Sequence, residues 1–116
     1  MIKEVFITGT NCITPIGFDV ADNIKNIEAG VSGIEYHDDL SLMKIPFYGA
    51  VVDDEKLNMA FADITKADSY TRLEKMMIMA LEPVVRNSEV KFDSRTAFIL
   101  STTKGNITAL KNTSEE

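Results

Sequence analysis

Cys12 is the one cysteine and His37 the one histidine of this 116-residue chain. A thiol becomes a nucleophile when a base, a cation or a helix N-terminus stabilises its thiolate. Cys12 sits in a loop without such a neighbour in sequence, and His37 follows much later in a stretch with no clean period. Cys12 therefore reads as a half-buried structural thiol and His37 as a surface residue. A Cys-His-His site cannot be assembled within one chain from this inventory, and one thiol provides neither an internal disulfide nor a CxxC metal pair.

Other chemistry-bearing patterns are incomplete. Gly9, Gly17, Gly30 and Gly33 do not form GxGxxG, and no GxxxxGK(S/T) is present, so neither a dinucleotide site nor a P-loop is supported. The pairs Asp38-Asp39 and Asp53-Asp54 lack EF-hand spacing and read as solvated turns. Met76, Met77 and Met79 read as core filler. Lys66, Arg72 and Lys75 form a small basic island near the start of a long helix, and read as a solvated face.

The elements that must position these residues follow from apolar patterning. Val5 to Thr8 is continuously apolar and β-branched, the signature of a strand covered on both faces. Gly9 ends it, and Asn11, Thr14, Pro15 and Gly17 are loop chemistry. Asp19 is placed to cap a helix whose apolar positions are Val20, Ile24, Ile27 and Val31, with Gly30 as its stop. Residues 32–43 read as an irregular connection, 46–52 as a strand, and 55–62 as at most one helical turn.

Asp68 to Asn87 carries the strongest helical pattern. Its apolar stripe is Tyr70, Leu73, Met77, Ala80, Leu81 and Val84, widened by Met76 and Val85. Thr71 and Glu74 fit a capping box, and Pro83 predicts a kink. Thr96 to Leu100 reads as a central strand neighbouring Val5 to Thr8, with the long helix packed on both. Ser101 to Asn106 is a polar turn, and 107–116 has the makings of a helix.

Composition narrows the class. The chain is 45% hydrophobic and 26% charged, as an ordinary globular protein is. Its net charge of −6 argues against nucleic acid as a partner, since phosphate binding needs a basic face. No apolar run is long enough to span a bilayer, and no signal core precedes the first strand, so the chain reads as cytoplasmic.

Several motifs in order resemble the N-terminal part of the β-ketoacyl synthases, the thiolase-like condensing enzymes. VFITG runs into a turn ending in TPIG. A capped helix then ends in AGVSGI, and FYGAVV, TRLEKMMIMALEP and RTAFILSTTKGNI follow at matching spacing. The resemblance runs from about Val5 to Ile107. It implies an α/β chain, a partial thiolase-like fold with a mixed sheet covered by helices. It also implies a parent that performs a decarboxylating Claisen condensation of acyl and malonyl carrier thioesters.

The family's nucleophilic cysteine and two histidines match no position here, so the resemblance implies a fragment without catalytic residues, metal or cofactor. Thr102, Thr103, Lys104 and Gly105 fall where the family walls its acyl pocket. Lys104 stands where an apolar gate is expected, which points to a specialised synthase or to a non-catalytic partner subunit resembling a chain-length factor. Lys66 and Arg72 fall where some members dock acyl carrier protein. An unrelated α/β binding module is the third reading. The ending on SEE reads as a cut inside a larger domain. Its exposed apolar side chains, Met76, Met79, Val85, Phe98 and Ile107, would favour a homo-oligomer or pairing with a synthase.

Overall fold

The computed structural model describes residues 3–67 and 69–111. In chain order the elements are α1 (Val20–Glu28), β1 (Ile34–His37), β2 (Phe47–Ala50), α2 (Asp54–Ala62), α3 (Arg72–Arg86) and α4 (Ile107–Lys111). The chain is mixed α/β. Among the described residues its sheet has two strands, β1 and β2, paired antiparallel with Ile34 opposite Ala50 and His37 opposite Phe47. Tyr36 and Tyr48 meet across the pair at 5.3 Å between ring centroids, on the exposed face. His37 stacks on Phe47 at 5.1 Å on the other, half-buried face. Such cross-strand ring pairs fix the register. Gly49 belongs to this face because a Cβ there would come within 2.7 Å of the Phe47 ring.

The expectation of a sheet covered by helices is corrected. Val5–Thr8 and Thr96–Leu100 are not strands, and both runs are exposed. They are therefore not neighbouring strands under α3. A strand is defined by the partner that completes its ladder, and no described segment supplies one to either run. The strand that does form beside β2 is β1, in the stretch expected to be irregular.

The helices obey their local signals more closely. Asp19 caps α1, its carboxylate accepting from the Asp22 amide at 2.7 Å. Gly30, just past the end, takes φ +71°, a conformation that glycine adopts without strain. Asp53 caps α2 in the same way, and α2 is a nine-residue helix, not a single turn. Helix α3 begins at Arg72 behind a complete Thr71–Glu74 capping box, later than the pattern from Asp68 suggested. Asp68 itself, and the part of 107–116 beyond α4, lie outside the described residues.

The core is the contact between α2 and α3. Leu57 and Phe61, one turn apart on α2, bury themselves against Met79 of α3 and Val52. Met76 and Ile78 of α3 and Ile13 and Phe18 of the loop before α1 pack around them. Met79, read from the sequence both as core filler and as exposed at a cut face, is a buried core residue, because α2 covers that side of α3. Tyr70 meets Phe61 edge-on at 5.4 Å. Arg72 ties the helix starts together, its Nε donating to Asp54 at 2.5 Å and its Nη2 to the Val52 carbonyl at 2.6 Å.

Pro83 sits inside α3 and has no amide to offer the Met79 carbonyl one turn back. Asn11 supplies the missing donor, its Nδ2 lying 3.4 Å from that oxygen. Asn11→Ala is expected to lower stability to urea by about 0.5–1.5 kcal/mol. In a Pro83→Ala background, where the helix regains its own donor, the same change should cost measurably less.

The folded chain is open. It exposes 10042 Å², whereas a compact monomer of its size exposes roughly 6300 Å². Its radius of gyration is 17.4 Å, against about 13 Å for a compact domain of 100 residues.

Candidate functional site

Two places concentrate polar side chains with defined partners: the turn that precedes α1 and the turn that precedes α4. The first is built on Asn23, a buried polar side chain of α1. Its Nδ2 donates to the Gly17 carbonyl at 3.0 Å and to the Asp19 carbonyl at 2.7 Å. Its Oδ1 accepts from the Thr14 hydroxyl. Asn26, one turn on, donates to the Ile16 carbonyl at 2.6 Å. Thr14 and Gly17 close the turn by exchanging backbone hydrogen bonds. A Cβ at Gly17 would lie 2.8 Å from the Asn23 amide nitrogen, so the turn can seat on α1 only without a side chain there.

Helix α1 therefore docks by its polar face, while Ile24, Ile27 and Val31 of the apolar stripe stay exposed. Pattern reading missed Asn23 and Asn26. The available signal was two asparagines three apart inside a helix, where asparagine is disfavoured unless it has a partner outside.

The second place is the turn 101–106. Gly105 takes φ +65° and its amide donates to the Thr102 hydroxyl at 3.1 Å. Thr102, Thr103, Lys104 and Gly105 are all exposed. The turn is held to α3 through Asn106, whose Nδ2 donates to Glu74 Oε1 at 2.9 Å. The other carboxylate oxygen of Glu74 accepts from the Thr71 amide at 2.8 Å. One carboxylate thus caps α3 and anchors the turn. Beside it runs an apolar cleft of about 460 Å³ between α3 and Phe98, lined by Tyr70, Met77, Ile78 and Leu81 with Glu74 at its edge. The four turn residues assigned to a pocket wall do not line this cleft.

Of the basic residues, Arg72 is engaged with Asp54 and Val52, and Lys75 with Asn58 at 2.6 Å. The Lys75 ammonium also stands 5.8 Å from the Phe61 ring centroid. Lys66 is exposed and has no hydrogen bond or ion pair among the described residues.

His37 Nε2 lies 3.0 Å from the Gly49 carbonyl, across the hairpin, and the ring lines a polar cleft of about 410 Å³ with Glu35, Asp53 and Lys56. Cys12 is half-buried and is not part of that cleft. Among the described residues no group of three His, Cys, Asp or Glu side chains is placed to hold a metal ion. The carboxyls held below their ordinary range are Asp39, by the Ser41 side chain and amide, and Asp93, by the Arg95 side chain and amide. Both stand in exposed turns outside the clefts. No described helix is long and apolar enough to cross a membrane.

No family model, no curated protein and no solved structure matches the chain.

Proposed function

We propose that this chain is the N-terminal scaffold of a β-ketoacyl acyl-carrier-protein synthase, a partial thiolase-like unit that serves the condensation of carrier-bound acyl and malonyl groups. The observation that carries the reading is the ordered series of motifs from VFITG to RTAFILSTTKGNI. Packing supports it. Gly33 of AGVSGI lies against Pro15 and Ile16 of TPIG, where a Cβ would come within 3.1 Å of both side chains. Gly9 of VFITG lies against Val84, just past LEP, where a Cβ would come within 3.3 Å of its side chain.

In the parent reaction an acyl group passes from carrier to a cysteine thiol. A malonyl carrier then loses carbon dioxide, and the resulting carbanion attacks the acyl thioester and expels the thiolate. Cys12 does not fill that role in this reading, and His37 is occupied with the hairpin. The chain contributes scaffold and a docking surface at Lys66 and Arg72, with exposed Lys66 as the cation offered to the acidic carrier and Arg72 held at the start of α3 by Asp54 and the Val52 carbonyl. A non-catalytic partner subunit is the second reading, favoured by Lys104 at the position of an apolar gate.

Two measurements test this. Titrating the isotope-labelled chain with holo acyl carrier protein should shift the amide signals around Lys66 and Arg72, and Lys66→Glu should remove the shifts. Incubating the chain with acyl and malonyl carriers should yield no new carbon-carbon bond. Turnover that Cys12→Ser abolishes would overturn the scaffold reading. Absence of any carrier-induced shift would instead favour an unrelated binding module.

A further inference from the structure

Arg72 belongs to the proposed docking surface, yet its guanidinium is already occupied. Its Nε donates to Asp54 Oδ1 at 2.5 Å, and its Nη2 donates to the Val52 carbonyl at 2.6 Å. These two nitrogens form one of the edges by which a guanidinium grips a carboxylate or a phosphate. Asp54 and Val52 fill that edge together. Among the described residues Lys66 has no partner, and Lys75 is engaged by neutral groups, the Asn58 side chain and the Phe61 ring.

The fold has other supports where Asp54 stands. Helix α2 opens with Asp54 and Glu55, but the residue that caps it is Asp53, which accepts from the Lys56 amide at 2.8 Å. The α2–α3 contact rests on Leu57, Phe61 and Met79 and on the hydrogen bond from Lys75 to Asn58. With Asp54 neutralised, the Val52 carbonyl still ties Arg72 to the segment before α2. Among the described residues the partner of the Asp54 carboxylate is Arg72 alone. The pair is exposed, its side chains keeping 42% and 67% of their surface in water. An exposed pair of this kind holds weakly and is screened by salt.

We propose that Asp54 is a built-in competitor for the acidic partner of this surface. In the free chain its carboxylate covers Arg72 Nε and offsets the guanidinium charge, which leaves Lys66 as the free cation. Docking then exchanges one carboxylate for another. The partner's acidic group takes the Arg72 edge, and Asp54 is released to water. Two properties fit Asp54 to this role. It is tethered beside Arg72, so it competes at a high local concentration. Its pair is solvent-exposed, so it gives way without breaking a buried contact. A cation masked in this way discriminates between partners. A single carboxylate gains little by the exchange, whereas a partner with several acidic groups engages Lys66 first and displaces Asp54 from there.

The inference rests on the carrier-docking reading, and its test separates the two. Isothermal titration with holo acyl carrier protein at one salt concentration compares wild type, Asp54→Asn, Arg72→Gln and the double variant. Asp54→Asn should tighten binding about 2- to 5-fold, the scale of an exposed ion pair. Arg72→Gln should erase that gain, so the two substitutions are non-additive. Glu55→Gln removes the same charge one residue away, and its smaller gain should survive Arg72→Gln. Should Asn disturb the start of α2, Asp54→Ser is the second neutral variant. An Asp54 variant that binds no tighter than wild type, or a gain that persists without Arg72, would overturn the masking. If the carrier binds none of these chains, the docking reading fails, and a hexaglutamate peptide decides the masking by itself. The Nε–H resonance of Arg72 should then move at several-fold lower peptide concentration in Asp54→Asn than in wild type. Equal concentrations would overturn the proposal.

Discussion

Leu57→Ala is expected to abolish the cooperative unfolding transition of this chain. Leu57 is 1% exposed and stands at the centre of a buried cluster that otherwise holds Val52, Phe61 and Met79. Truncating a buried leucine costs about 2–5 kcal/mol, as lost transfer energy plus the cavity left behind. A domain of this length has a net stability near 0.05–0.15 kcal/mol per residue, and an open chain with so small a core belongs at the low end. One truncation therefore removes most of the margin. Urea titration followed by circular dichroism should show a sloping baseline without a sigmoid. Ile24→Ala, on the exposed side of α1, should change stability by no more than about 0.5 kcal/mol. A Leu57 variant that unfolds cooperatively with a small loss would move the core away from the α2–α3 contact.

Asn23→Asp is expected to release the turn 14–17, and to do so more strongly as pH rises. The amide group of Asn23 satisfies two backbone carbonyls, and the substitution replaces that donor by an acceptor facing the same oxygens. Leaving buried polar groups unpaired costs about 1–3 kcal/mol each, and more when charge is involved. The folded environment disfavours the ionised carboxyl at position 23, so its folded pKa is raised above the unfolded value of about 3.9. The variant then loses stability as pH climbs above the unfolded pKa, since the unfolded state ionises first. The gap to wild type in urea midpoint should widen between mildly acidic and neutral pH. New proteolytic cleavage between Thr14 and Phe18 is the local signature. A pH-independent gap would mean that the side chain is not held against those carbonyls.

Local signals were legible in the sequence, and their partners were not. Asp19, Gly30, Thr71 and Glu74 mark helix ends through groups a few residues away, and the structure places each at the end it marks. Pro83 announces a carbonyl without a donor, yet nothing near it in sequence names Asn11 as the group that answers. Val5 to Thr8 and Thr96 to Leu100 carry the pattern of strands buried on both faces. That pattern encodes a demand for cover, and the described chain does not meet it. The β1 strand escaped notice because Ile34, Glu35, Tyr36 and His37 form only a short alternation, and their pairing depends on β2 folding back at the right register. Met79 reads from the sequence both as core filler and as exposed at a cut face, and α2, which shows no strong period of its own, decides for the core. The turn 101–106 was recognisable as a turn, but its anchor, Asn106 on Glu74, spans two elements distant in sequence.

The central claim is that the α2–α3 contact is the core of this chain and that the two apolar runs lie outside it. Amide hydrogen exchange measured along the whole chain tests it most directly. The account predicts slow exchange in the middle of α2 and α3 and fast exchange at Val5–Thr8 and Phe98–Leu100. Protection of both runs to the level of α3 would show that the chain covers them by itself, and would contradict the account.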